Sequence, residues 1–415
     1  MKIGKVAEKY NLTIATIRYY INNGLLVPEQ KGTQYDFDRS CLEDLEMILH
    51  LKSLYFTLHD IHAILTLKRI SNFNDPRHID ELLQYFIAQQ ERLNGIHQET
   101  QGILENINAQ ISTLQERKAE FTVDKYICSG ISLSFLPFLC CPKCGENLKL
   151  HDATLENQQI MKGVFQCDCG YQLKIENGIL IAPLEAYAEG DKPDLECMYY
   201  NLLPPDMMTL FKKSYNWLSS EIAALPRQDG SRVVMETHIN SYFYLLTNFP
   251  SLDANDLYII VDNHPSVLQM YKTMIDKMNI HANILYLACN TLEYPLKRQC
   301  IDVYIDFYAS NEYATFQEGW LHQLSWKYLK PRHHYLGTYF YFRPSARSRQ
   351  LLLEKYPTGD KNNFNKKSFI YQLKEQEMKL CNDIEIGTVR NSGNSMTFHI
   401  PGDELSLYSY HYMAR

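Results

Sequence analysis

The stretch SRVVMETHINSYFYLL, residues 231–246, reads as a buried strand, a tight turn and the start of a helix. In open α/β sheets a nucleotide-like ligand approaches the backbone at such a turn, and glycine lets it come close. This turn has no glycine: Glu236, Thr237, His238, Ile239 and Asn240 all place side chains there. Either the loop swings wide and still admits a ligand, or the pocket has been converted to another use. The first outcome describes an enzyme, the second a sensor.

Strands and helices alternate outward from this point. RVVME is a first strand, and DLYIIVD a second, ending in Asp262 before the helical HPSVLQMYKTMIDKM. ANILYLA is a third, leading into the turn CNTLEYPL with Asn290 and Leu292. IDVYIDFYA is a fourth, YLKPRHHYLGTYFYF carries a fifth, and DIEIGTVR and LSLYSYHYM close the chain as a late pair. The alternation predicts a doubly wound parallel sheet over residues 190–415.

This order resembles the Rossmann-like S-adenosylmethionine-dependent methyltransferases. The resemblance implies a cofactor pocket at Glu236, His238, Asp262, Asn290 and Leu292. Asp262 would hold the ribose hydroxyls and Asn290 would take the adenine. No acceptor-binding or catalytic motif accompanies them; DFYASNEY is not the Asn-Pro-Pro-Tyr signature of base-modifying enzymes. No catalytic residue is expected, and binding of S-adenosylmethionine rests on what the glycine-free loop does.

The other end of the chain carries different chemistry. KIGKVAEKYNLTIATIRYYINNGLLVPE predicts two short helices and a turn, with Thr13 capping the second. Ile14, Ile17 and Ile21 mark the apolar face of that helix, and Thr16, Arg18, Tyr19 and Tyr20 the other. Arginine and tyrosine suit phosphate and base edges. VPEQKGTQYDF predicts a hairpin and CLEDLEMILHLKSLYFTLHDIHAIL two more helices. TIRYYINNGLLVP, the hairpin and the helices after it resemble the MerR-type transcriptional regulators. The resemblance implies a winged helix-turn-helix over residues 1–75 that reads double-stranded promoter DNA through Thr16, Arg18, Tyr19, Tyr20, Lys31 and Tyr35. Where the family's wing has a basic residue after its tyrosine, this chain has Asp36. Wing contacts to phosphate then fall to Lys31, Gln34 or Arg39.

From Pro76 to about residue 125 no strong helix breaker occurs, and Ile79, Phe86, Leu93, Ile107 and Leu114 recur on a heptad seam with Leu83, Leu104 and Ile111 beside it. Such a helix is too long to pack wholly on one small domain and predicts a homodimer. The MerR resemblance implies the same antiparallel pairing, and further that the dimer distorts promoter DNA for RNA polymerase in response to a small-molecule effector. His97 on the seam reads as a register-setting residue.

Between these parts, CCPKCGENLKL and FQCDCGYQLKIENGILIAP place Cys141, Cys144, Cys167 and Cys169 as two pairs, each followed by glycine. Four thiolates at this spacing predict a structural Zn2+ ribbon over residues 128–183, with Cys140 the alternative to Cys141. Zinc or thiol sensing is a second use of the same residues. The segment, with YNLLPP at 200–205, also resembles the zinc domains that accompany certain RNA methyltransferases.

Whole-chain properties bound these readings. The 415 residues suit about three domains. A net charge of −7 argues against a chain coated in nucleic acid, while leaving a small DNA-reading module open. Charges break up the N-terminal segment and every apolar run is short of the ~20 residues that span a bilayer, so a cytoplasmic protein without a membrane partner is expected. The expected architecture is multidomain α+β: winged helix-turn-helix, coiled-coil helix, zinc ribbon and Rossmann-like effector domain. An active methyltransferase with a DNA-binding head is the alternative.

Overall fold

The computed structural model describes the chain apart from residues 33, 123–127, 227–229, 249–252, 279, 281 and 394–395, with backbone alone at 31 and 120–122. It divides into two compact units, Met1–Thr122 and Val123–Arg415.

In the first unit, helices α1 (Ile3–Lys9) and α2 (Ile14–Asn22) precede the hairpin β1 (Glu29–Lys31) and β2 (Gln34–Asp36). Helices α3 (Arg39–Ser53), α4 (Leu58–Ser71) and α5 (Pro76–Thr122) follow. Local sequence sets the starts: Thr13, Asp38 and Thr57 each accept a backbone amide three residues on, capping α2, α3 and α4. Val6, Ile17, Leu45, Ile61 and Leu65 fill one core. Asp44 is buried beside it, bonded to Lys68 at 2.8 Å and Arg69 at 2.9 Å. Arg69 also donates to the carbonyls of Gly24 and Leu25, so one carboxylate ties α3 and α4 to the turn after α2. Helix α5 is 47 residues long. Its first turns dock on this core, where Gln89 donates to the carbonyl of Leu54. Beyond them Ile96, Ile103, Leu104, Ile107, Ile111 and Leu114 are exposed.

The second unit is built on one 12-stranded sheet. Its cysteine-bearing part contains β3 (Ile131–Ser132), β4 (Lys149–Glu156), β5 (Gln159–Gln166), β6 (Gln172–Glu176) and β7 (Ile179–Ile181). Helices α6 (Met198–Asn201) and α7 (Pro205–Ala224) lead into β8 (Val233–Thr237), α8 (Tyr244–Asn248), β9 (Leu257–Asp262), α9 (Pro265–Lys277) and β10 (Asn283–Ala288). Then come β11 (Ile301–Phe307), α10 (Ala309–Phe316), α11 (Leu321–Ser325) and β12 (Leu329–Phe342). Helices α12 (Arg347–Lys355) and α13 (Lys366–Glu375) precede the closing pair β13 (Lys379–Val389) and β14 (Leu405–Met413).

The strand order is β13-β14-β12-β11-β8-β9-β10, parallel except for β14, which runs antiparallel to both neighbours. The order reverses at β8, the switch point of a Rossmann-like sheet, where ligands sit outside the carboxyl ends of the strands. The fourth strand ends at Phe307, two residues before the expected Ala309, because Tyr308 turns the chain with φ +69°. The cysteine hairpins do not form a small core around metal alone. Strand β7 pairs in parallel with β10, and Cys141, Cys167, Leu173 and Leu180 share a continuous core with Met235, Ile259 and Leu285.

Candidate functional site

The glycine-free loop does not swing wide. From Val233 to Leu245 every residue is buried, and Ile239, Tyr242 and Phe243 pack into the core beneath the sheet. His238 makes the turn with φ +54°, a backbone region that disfavours side chains, and its amide donates to Val261. Its ring meets Thr237 Oγ1 at 3.1 Å and the edge of Tyr313. Burial pushes the imidazole down to about 4, so it stays neutral.

The acids that end β8 and β9 face the chain itself. Glu236 accepts the amides of Tyr244 at 2.7 Å and Leu245 at 2.9 Å, capping α8. Asp262 accepts the amides of Asn240 and His264, both at 2.9 Å, and is 1% exposed. Burial raises Glu236 to about 8 and Asp262 to about 7, although these amide bonds pull the other way. The position expected to hold ribose hydroxyls is thus enclosed and bonded to backbone.

A strap preceding α6 covers the same strand ends. Asn290 takes both polar atoms of Glu185's backbone: Nδ2 donates to the carbonyl at 2.7 Å and Oδ1 accepts the amide at 2.9 Å. The Tyr187 ring stacks on His264 with centroids 4.6 Å apart. Asp191 meets His264 Nε2 at 2.9 Å and Asn263 Nδ2 at 3.3 Å. Asn240 donates to the carbonyl of Lys192 at 2.9 Å and accepts the amide of Asp194 at 2.8 Å. Three asparagines, one after each of β8, β9 and β10, therefore grip one segment of chain. What remains open is a cavity of about 220 Å³, whose lining includes His238, Asn290, Leu292 and Glu312. Of the five residues expected at a cofactor, His238, Asn290 and Leu292 meet at this cavity, while Glu236 and Asp262 do not line it. Sequence reasoning missed the strap, because its asparagines carry no spacing signal before the strands are placed.

Cys141, Cys144, Cys167 and Cys169 come together, their sulfurs all within 4.8 Å of one another. The knuckles close on themselves: the amides of Gly145 and Gly170 donate to the carbonyls of Cys141 and Cys167, and both glycines have positive φ. Cys144 and Cys169 are exposed, Cys141 and Cys167 buried. Cys140 is buried outside the cluster, its amide bonded to Pro295. The four thiols form a closed donor set that can hold a metal ion.

On α2, Arg18 and Tyr19 are exposed and Thr16 is half-buried, with its hydroxyl 2.8 Å from that of Thr13. Tyr20 corrects the sequence reading. It is 2% exposed, turned into the core with Lys52 over its ring, because the helix tilts its Ile17–Tyr20 edge inward and leaves Ile14 out. Tyr35 is half-buried on the wing against the same core, and Lys31 lies on β1 with only its backbone described. Among the described residues no helix is long and apolar enough to cross a membrane.

Residues 1–68 match the MerR HTH family regulatory protein model, and this module is a MerR-type helix-turn-helix. An HTH-type transcriptional regulator ZntR homolog from Haemophilus influenzae is 33% identical over 73 residues, 17% of this chain and 54% of that protein. The chain thus spans about half the length of this curated relative. Among solved structures, the MccD protein aligns at 10% identity and TM-score 0.39 over 51% of this chain and 99% of its own. An S-adenosylmethionine-dependent methyltransferase from Aquifex aeolicus aligns at 12% identity and TM-score 0.36, covering 54% of this chain and all of that one. A geranyl diphosphate C-methyltransferase from Streptomyces coelicolor aligns at 7% and TM-score 0.38, over 55% and 94%.

Proposed function

We propose that the chain is a dimeric DNA-binding regulator whose methyltransferase-like unit senses an effector and transfers no methyl group. The observation that carries this reading is the filled cofactor position. Asp262 is spent on backbone amides, and Asn290 grips Glu185 where the resemblance would have it grip adenine. A pocket held shut by its own chain suits a switch, because a ligand that binds the opened form better shifts the population toward it.

The head is proposed to read promoter DNA through Arg18, Tyr19 and Thr16, with Lys31 and Tyr35 on the wing. Two copies would pair through the exposed apolar face of α5, which at 1.5 Å per residue runs about 70 Å. Effector binding would then change the geometry of the two heads on the promoter, and so its use by RNA polymerase. The four-cysteine centre is proposed to hold structural zinc. A zinc–sulfur bond of about 2.3 Å puts tetrahedral corners about 3.8 Å apart. The Cys141–Cys169 and Cys144–Cys167 sulfur separations of 3.5 and 3.3 Å are close to that. A zinc or thiol sensor is the second reading, favoured by the exposure of Cys144 and Cys169.

Calorimetry with S-adenosylmethionine and S-adenosylhomocysteine, alongside turnover of labelled methyl groups, tests the main reading. No binding at millimolar ligand and no transfer is the expected result. Micromolar binding with turnover would instead establish the enzyme. Promoter occupancy that answers to oxidant or chelator, and to no organic ligand, would establish the second reading.

A further inference from the structure

The cavity left beneath the strap has a one-sided chemistry. Its lining carries the carboxylates of Glu185, Asp191 and Glu312 and the rings of Tyr294, Tyr313 and Phe316, with no lysine or arginine. Glu312 is 6% exposed, and among the described residues its carboxyl is hydrogen-bonded by Ser241, through the hydroxyl and through the amide, which reaches Oε2 at 3.3 Å. A buried carboxyl served by one serine, in a cavity lined by no lysine or arginine, lacks the charged partner that burial of a charge requires. Asp191 is better served, by His264 and Asn263, and Glu185 stands at the exposed rim.

We infer that this cavity binds a compact organic cation, its ammonium group set against the Glu312 carboxylate and among the three aromatic rings. Rings attract a cation through their quadrupole, and a desolvated site strengthens that attraction. At about 220 Å³ the space falls below the ~300 Å³ at which drug-sized pockets begin, so the ligand is small. Burial, reinforced by the neighbouring Asp262 and Asp191 carboxylates, holds Glu312 well above the usual carboxylate range; a bound cation would offset that cost. The inference rests on the sensor reading and names the ligand class that the sensor takes. Glu185 and Asp191 belong to the strap, so such a ligand would bear directly on the segment that seals the site.

The test uses the zinc-replete full chain without DNA, titrated with choline and with its uncharged carbon isostere dimethylbutanol, followed by calorimetry and ligand-observed NMR. Choline is expected to bind at least tenfold more tightly than the isostere, and Glu312→Gln to bring the two within about twofold while the variant melts as the parent does. If Glu312→Gln does not fold, Tyr313→Leu serves instead and is expected to weaken choline more than the isostere. Equal binding of the two probes, or a preference that survives Glu312→Gln, overturns the inference. Repeating the titration on the promoter complex separates the two ideas. Choline binding that leaves DNA occupancy unchanged sinks the sensor reading alone. Occupancy that responds to some other effector, with no choline preference, sinks only the ligand class.

Discussion

Asn290 holds Glu185 by both ends, donating to its carbonyl at 2.7 Å and accepting its amide at 2.9 Å. A carboxamide reads a peptide unit with the same donor and acceptor pair it would offer an adenine edge. The strap is therefore a competitor for the position, and its hold can be measured. Asn290→Ala removes two hydrogen bonds of about 0.5–1.5 kcal/mol each. Amide exchange at residues 185–194 is expected to speed up at least tenfold, with exchange in β9 and β10 unchanged. Uniform acceleration across the unit would mean that the asparagine supports the whole fold and not the strap.

Two residues of the MerR-type helix should behave oppositely. Arg18 is exposed and Tyr20 is buried in the core of the head. Arg18→Ala should leave melting unchanged, weaken promoter binding across all sequences, and lower the salt slope by about one. Tyr20→Ala should cost about 3 kcal/mol of stability, as other buried aromatic truncations do. Equal melting of the two variants would contradict this placement.

The cysteine centre predicts an unusual response to metal removal. Because β7 pairs with β10 and the cysteines share the core of the large sheet, loss of metal should not unfold the unit. One thiolate-bound metal per chain is expected by elemental analysis. Chelation should abolish amide protection in residues 141–172 and leave the far-ultraviolet dichroism largely intact. Complete unfolding on chelation would show that the metal supports the whole core.

Stability should depend on pH through buried histidines. His333 Nδ1 donates to the carbonyl of Lys330 at 2.8 Å, its Nε2 lies 3.2 Å from His322 Nε2, and His322 Nδ1 meets Gln376 Oε1; burial lowers both rings and favours their neutral forms. Burial, with His333 as a neighbour, pushes His322 down to about 3. A depressed histidine contributes stability that is present above its unfolded value of about 6.5 and is lost as pH falls toward the folded value. At pH 5 the loss from His322 is about 2 kcal/mol. Glu236, raised from 4.5 to about 8, acts in the opposite sense and removes stability as pH rises through that window. Denaturant titrations of His322→Phe against the parent isolate the first effect: the parent's relative stability should fall from pH 6.5 to 5. A constant difference over that range would mean that the pair is not neutral.

The paired-helix proposal is checked by charge on the exposed face. Leu104→Glu combined with Ile111→Glu should shift the sedimenting species from dimer to monomer without loss of helix content. Unchanged mass would place the interface elsewhere.

Much of this protein is determined locally, by forces that act within a few residues. Caps at Thr13 and Thr57, heptad spacing along α5, cysteine pairs followed by glycine, and apolar runs ending in Glu236 and Asp262 each have a periodicity or turn requirement visible in the chain. These signals were enough to predict the helix-turn-helix, the long helix, the metal knuckles and the alternating sheet. The inward turn of Tyr20 was not legible, since a helix face is assigned by what packs against it and Ile14 competed for the same core. Nor was the fate of the loop at 236–240. A sequence shows that side chains replace glycines, but whether they point into the cofactor's space or into the core depends on Ile239, Tyr242 and Phe243 finding apolar partners far along the chain. The grip of Asn240, Asn263 and Asn290 on the strap exists only once three parallel strands bring their carboxyl ends side by side. Packing between distant segments made that decision, because hydrogen bonds to a strap 46 to 105 residues away have no local signature.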